Sequence, residues 1–151
     1  MGSVNESTVE GRIVVGVDGS PSSRRALEWA IGQARATGAV VDAVACWVYP
    51  TMYGVVMAKP ESGLGEETGH TLARTVADVA GDDPPVEIRQ TVLLGNAAEE
   101  LLGWSAGADL LVLGRREHHA FVNVLAGSVS QHCVQHARCP VVVIRDFGSD
   151  H

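Results

Sequence analysis

The residues best suited to chemistry form one polar stretch, from Gly114 to Ser130. It follows an apolar run typical of a strand, Leu110–Leu113, and leads into a helical pattern that begins near Gly127. The first turn of a helix has unpaired N–H groups and the positive end of the helix dipole, so this arrangement favours an anion such as phosphate. Glu117 lies within the stretch, where its negative charge opposes a phosphate.

Other reactive side chains do not assemble into a catalytic or metal site. His132 and His136 lie four residues apart near Cys133 and Cys139, a spacing that can hold zinc. On a helix, Cys133 would point away from both histidines, so we interpret the group as surface histidines around a buried thiol. Ser128 lies four residues before His132, but neither a nucleophile elbow nor an orienting acid accompanies it. The sequence therefore predicts no catalytic residue and no metal-ligating residue.

The composition is that of a soluble globular domain. The chain has 151 residues, 46% of them hydrophobic, and a formal net charge of -7. This charge, with no basic stripe, argues against a general nucleic-acid binder or a protein of anionic membranes. The three cysteines lack the spacing of a disulfide framework, and the N-terminus lacks the apolar core of a signal peptide. We therefore expect a cytoplasmic protein.

The elements that must position the polar stretch alternate between strands and helices. We expect a disordered leader over 1–10, one domain over 11–147 and a tail over 148–151. Strands are predicted at Ile13–Val17, Val40–Val48, Val86–Leu94 with one exposed face, Asp109–Leu113 and Val141–Arg145. Helices are predicted from Pro21 to Gly38, Glu66–Ala80, Ala97 to about Ser105 and 127–137, with a long loop over 49–65. Such alternation predicts an α/β fold with a mostly parallel sheet and helices on both faces.

Three segments are expected at the carboxyl ends of these strands, where open parallel sheets bind ligands. They are Val17 to Ser20, Trp47 to Tyr49, and the polar stretch from Gly114. Asp18 offers an acceptor beside a helix N-terminus, although capping that helix would by itself explain an aspartate there. Together, these strand ends favour a phosphate-bearing small ligand.

Two stretches resemble the universal stress protein family: Ile13–Ser20 at the start, and Gly127–Ser130 followed by Cys139–Val143 at the end. The likeness spans about residues 11–146. It implies an open parallel five-stranded sheet in the order 3-2-1-4-5, of the Rossmann-like, adenine nucleotide alpha hydrolase-like class. It also implies ATP bound between the first and fourth strands through a Gly-x2-Gly-x9-Gly-Ser/Thr pattern. Gly114 and Gly127-Ser128 match this pattern, and Glu117 replaces its second glycine.

The same resemblance implies roles for individual residues. It places Val17, Asp18 and Trp47 around the base, Leu113 and Gly114 near the base and ribose, and Gly127, Ser128, Val129 and Ser130 around the phosphates. Glu117 would meet the phosphates, where Arg115, Arg116 or a divalent cation such as Mg²⁺ would offset its charge. The resemblance also implies a homodimer through the strand Val141–Arg145.

Three functions follow as hypotheses. The first is a stress-response protein that binds ATP or a related adenine nucleotide, with an affinity weakened by Glu117. The second is a family member that does not bind nucleotide and acts through dimerisation and protein partners. The third is slow ATP hydrolysis, although we lean away from an enzyme.

Overall fold

A computed structural model describes residues 11–49, 51–56, 63–116 and 128–146 of the chain. They form a five-stranded parallel sheet and a separate two-stranded hairpin, with four helices. The sheet contains β1 (Arg12–Gly16), β2 (Val40–Trp47), β5 (Ile88–Leu94), β6 (Leu110–Arg116) and β7 (Val141–Asp146). The hairpin consists of β3 (Thr51–Met52) and β4 (Val55–Val56). The helices are α1 (Pro21–Thr37), α2 (Leu64–Ala80), α3 (Ala97–Trp104) and α4 (Ser128–His136).

The sheet has the order β5-β2-β1-β6-β7, and every pairing in it is parallel. Counted without the hairpin, this is the third, second, first, fourth and fifth strand of the chain. The predicted fold class and strand order are therefore confirmed.

Two core layers cover the two faces of the sheet. On one face, Ile13 and Val15 of β1 pack with Leu27 of α1 and Leu72 of α2. On the other face, Val14 packs with residues of α3 and α4, among them Leu101 and Cys133. Because β1 is central and covered on both faces, its side chains form a continuous apolar run. None of the helices in the described ranges is long and apolar enough to cross a membrane.

Three sequence predictions about these elements were wrong. The predicted loop over 49–65 contains the β3–β4 hairpin, whose turn residues Tyr53 and Gly54 both have positive φ (55° and 79°). This is the backbone shape of tight hairpin turns, but tyrosine seldom adopts it, so the sequence signal was weak. The fourth strand extends beyond Leu113 to Arg116, because its pairing with β7 continues to Asp146. The strand predicted at 86–94 begins only at Ile88. It lies at an edge of the sheet with one exposed face, as predicted, and that face carries Gln90, Val92 and Leu94, whereas Thr91 on the other face is half-buried and hydrogen-bonded.

A buried carboxylate ties three strands and a helix together. Asp42, the one charged residue of β2, is 4% exposed. Its Oδ1 accepts from the Thr91 hydroxyl at 2.8 Å, and its Oδ2 accepts from Trp104 Nε1 at 2.7 Å. The Arg12 guanidinium lies 3.5 Å from Oδ2 and donates to the Trp104 carbonyl at 3.0 Å. A buried carboxylate is stable only when its acceptors are satisfied, and here β1, β5 and α3 all donate to it or to its partner.

We expect Trp104→Phe to lower the free energy of unfolding by about 1–2 kcal/mol, because Asp42 then loses a donor inside the protein. Trp29→Phe is the matched control, since the two tryptophans are similarly exposed (40% and 37%). No hydrogen bond of the Trp29 indole is present in the described part of the chain. Urea denaturation measures both variants. Equal losses in the two would contradict a specific role for the indole–carboxylate bond.

Candidate functional site

The turn after β1 caps the helix that follows it. Ser20 is the N-cap of α1, and its hydroxyl accepts from the Ser23 N–H at 3.2 Å. Asp18 Oδ1 accepts from the Ser20 N–H at 2.9 Å, while the Asp18 N–H donates to the Ser23 hydroxyl at 3.3 Å. Gly19 sits between them with a φ of 82°. Asp18 therefore shapes the turn, as the capping interpretation expected, and its carboxylate remains exposed at the carboxyl edge of the sheet.

A cleft of about 550 Å³ opens beside this turn, at the carboxyl ends of β1 and β2 and under the first half of α2. Val17, Ala45 and Leu72 contribute its apolar lining, and each is buried. Around them lie polar side chains from the turn and from α2: Asp18, Glu67, Thr68, His70, Thr71 and Arg74. An apolar floor with a polar rim is the usual composition of a small-ligand site.

The sequence predictions found only part of this cleft. Val17 and Asp18, two of the residues predicted to bind nucleotide, line it, but no α2 residue was predicted to do so. The signal was present in the helical spacing, because Glu67, Thr71 and Arg74 fall on one side of α2 at intervals of three and four residues.

Trp47 lies next to the cleft rather than among the described residues that line it. Its ring meets Tyr49 edge-on, with centroids 4.9 Å apart. The indole also lies against Gly65 in the first turn of α2, where an added Cβ would come within 3.0 Å of it. Trp47 therefore holds the start of α2 against the end of β2.

Leu113 and Gly114 serve the packing of the sheet. Leu113 is 4% exposed and belongs to the core layer under α3 and α4. Gly114 lies so close to the first turn of α1 that an added Cβ would collide with the Ser22 backbone. This contact needs a glycine whether or not a ligand is present. Arg115 is exposed opposite Arg145, and Arg116 pairs in register with Asp146.

Of the residues predicted to surround the phosphates, the structure describes only those at the start of α4. Ser128, Val129 and Ser130 form the first turn of α4, where Ser130 is buried and Val129 packs against the core. Glu117 and Gly127 lie outside the described residues, as do the residues between them.

The cysteines and histidines near α4 lie apart from the cleft chemistry. Cys133 is fully buried, and its thiol donates weakly to the Ala98 carbonyl at 3.9 Å. Burial raises the pKa of the Cys133 thiol to about 11, and likewise that of the Cys46 thiol, which does line the cleft, so both stay protonated and unreactive at neutral pH. His132 and His136 are exposed, with ring centroids 4.6 Å apart. Across the described ranges, no three His, Cys, Asp or Glu side chains are placed to hold a metal ion.

Comparison with known proteins shows the family of this chain. The profile of the universal stress protein family matches residues 11–145. The chain belongs to this family. A universal stress protein of Mycolicibacterium smegmatis is 34% identical over 134 residues, which are 88% of this chain and 45% of that protein. One from Mycobacterium tuberculosis is 31% identical over 133 residues, again covering 88% and 45%. The chain thus spans about half the length of the curated relatives it matches.

Solved structures of family members share the fold. A universal stress protein in complex with cAMP has a TM-score of 0.67 at 24% identity, covering 89% of this chain and 96% of that one. One from Archaeoglobus fulgidus in complex with dAMP has a TM-score of 0.60 at 21% identity, with coverage of 90% and 98%. One from Arabidopsis thaliana with AMP bound has a TM-score of 0.58 at 21% identity, with coverage of 93% and 97%. At these identities, the similarity shows the fold alone.

We expect Gly114→Ala to lower the free energy of unfolding by about 1–3 kcal/mol, because the new methyl group forces β6 away from the first turn of α1. Gly32→Ala is the control: Gly32 lies inside α1 with open space beside it, and alanine there should stabilise the helix by about 0.5–1 kcal/mol. Thermal unfolding without nucleotide measures both. A Gly114→Ala protein as stable as the wild type would show that the contact is not tight in solution.

Proposed function

We propose that this universal stress protein binds an adenine nucleotide, with the base in the cleft between β1, β2 and α2. The observation that carries the proposal is the cleft itself, at the carboxyl ends of two parallel strands. Its volume of about 550 Å³ falls within the ~300–1,000 Å³ of small-molecule sites. Structures with cAMP, dAMP and AMP in other family members support the choice of ligand class.

The composition of the cleft suits a purine. Val17, Ala45 and Leu72 offer apolar surface to the face of the ring, and removing that surface from water favours binding. Asp18 and the α2 side chains stand at the rim, where they can reach the polar edges of the base or the ribose hydroxyls.

The phosphates would then extend towards β6 and the N-terminus of α4. Ser128–Ser130 begin that helix, and its first N–H groups suit an anion. We include ATP among the candidate nucleotides. Because the described residues present no carboxylate cluster for a metal, Mg²⁺ would enter with a triphosphate and keep several water ligands.

Binding, with signalling as its output, is favoured over turnover. His70 lines the cleft, but no described residue forms a hydrogen bond that would orient it as a general base. We therefore propose a nucleotide-responsive stress protein rather than an ATP hydrolase. The free thiols Cys46, Cys133 and Cys139 suit a reducing cytoplasm, where we place this function.

We expect Glu117→Gly to tighten nucleotide binding, since a carboxylate ~6 Å from a phosphate costs about 1–3 kcal/mol. That range corresponds to roughly fivefold to 150-fold in affinity. Glu117→Gln separates the effect of the negative charge from the effect of the side-chain bulk, because it removes the charge and keeps the bulk. Calorimetric titration with AMP and with ATP plus Mg²⁺ measures the affinities.

Asp82→Asn is the control for net charge, since Asp82 is exposed in the connection between α2 and β5. It should leave the affinity unchanged. The absence of binding by the wild type at millimolar nucleotide would refute the proposed function. An unchanged affinity in Glu117→Gly would show that this residue lies away from the phosphates.

Dimerisation is a second candidate function, favoured by the exposed edge at β7. This strand pairs with β6 on one side, and within the described ranges no strand pairs with its other side. Val141–Ile144 are apolar and only partly buried, although valine and isoleucine are usually hidden in a parallel sheet. An apolar edge of this kind can pair with a second copy, and we propose a homodimer through Val141–Arg145.

We expect sedimentation velocity at micromolar protein to show a dimer that Val143→Lys converts to monomer, because a lysine on the edge strand opposes pairing. Val92→Lys provides the control at the opposite edge of the sheet, on β5, and should remain dimeric. A wild type that is monomeric throughout would exclude the β7 dimer.

A further inference from the structure

One wall of the cleft has no counterpart in the site that the family resemblance implied. Helix α2 contributes Glu67, Thr71 and Arg74 to it from a single side of the helix. Opposite them stand Val17 and Asp18 from the end of β1. A base held between these walls would therefore meet α2 with one of its edges.

Glu67 is the one carboxylate among the α2 residues that line the cleft, and its acceptor capacity is unused. The Thr68 hydroxyl already donates to the Leu64 carbonyl at 2.8 Å, and Asp18 Oδ1 accepts from the Ser20 N–H. Within the described part of the chain, no hydrogen bond or ion pair engages the Glu67 carboxylate. Arg74, seven residues further along α2, stands about 10 Å away along the helix axis at 1.5 Å per residue.

An ionised carboxylate only accepts hydrogen bonds, so it selects a ligand edge that donates. Adenine presents an exocyclic amino group at position 6, whereas hypoxanthine presents a carbonyl oxygen there. A carboxylate facing that position attracts the first base and repels the second. A divalent cation is the other common partner of a carboxylate, but no metal-holding group of three side chains occurs in the described ranges.

We propose that Glu67 is a specificity-determining residue that accepts a hydrogen bond from the exocyclic amino group of adenine. The proposal rests on the proposed nucleotide function and adds to it the direction in which the base faces: its amino edge towards α2, its apolar face on Val17 and Ala45. It also predicts discrimination against bases that carry an oxygen at this position.

The simplest structural role for Glu67 is to place a negative charge in the first turn of α2, where the charge interacts favourably with the positive end of the helix dipole. Glu66 shares that role and is also exposed, but it does not line the cleft. Glu66→Gln and Glu67→Gln therefore change the net charge and the helix terminus alike, and differ only at the cleft. This makes the adjacent residue a matched control.

The experiment titrates AMP and inosine monophosphate into the wild type, Glu67→Gln and Glu66→Gln, and compares the ratio of the two affinities. The two ligands share ribose and phosphate, so any effect on those groups cancels in the ratio. We expect the wild type to prefer AMP by roughly tenfold, as for one charge-assisted hydrogen bond. Glu67→Gln should reduce the preference to about twofold or less, because an amide serves both bases, while Glu66→Gln should keep the wild-type ratio.

Two results would overturn the inference. If Glu67→Gln keeps the wild-type preference, Glu67 does not read the base, although AMP binding itself would leave the nucleotide function intact. If both glutamine variants lose the preference equally, the effect belongs to the helix terminus. Failure of the wild type to bind either nucleotide is a different outcome, and it would reject the proposed function itself. Circular dichroism of each variant verifies the fold.

Discussion

The parallel pairing of β1 with β2 on one side and with β6 on the other determines where a small ligand can bind on the sheet. β1 is central in the sheet, and Ile13, Val14 and Val15 are 0–1% exposed. The chain leaves β1 towards β2 and later returns on its other side as β6, so the connections diverge at the carboxyl edge. The turn with Asp18 therefore follows directly from a strand whose central residues are almost fully buried.

Among the described residues, the two sides of β1 differ at that edge. On the β6 side, Gly114 packs against the backbone of Ser22, so the first turn of α1 lies directly against that strand. On the β2 side lies the cleft, with α2 as its outer wall and Trp47 holding the start of that helix. The cleft is consequently lined by α2 as much as by the strand ends.

The sequence predicted features that depend on local pattern. Fully buried strands such as β1 and β2 read as β-branched runs, and Ser20, Pro21 and Gly38 marked the ends of α1. Features that depend on distant partners were not predictable. Asp42 is buried because Thr91 and Trp104, 49 and 62 residues away, donate to it. Likewise, nothing local showed that Gly114 is a packing residue, since the same glycine satisfies a ligand-binding pattern.

The proposed site depends on the position of the base, and a crystal structure grown with AMP tests this position most directly. We expect the adenine ring against Val17 and Ala45, between the turn at Asp18 and helix α2, with the phosphate directed towards the N-terminus of α4. Electron density for the adenine anywhere else on the protein, with the β1–β2–α2 cleft empty, would contradict it.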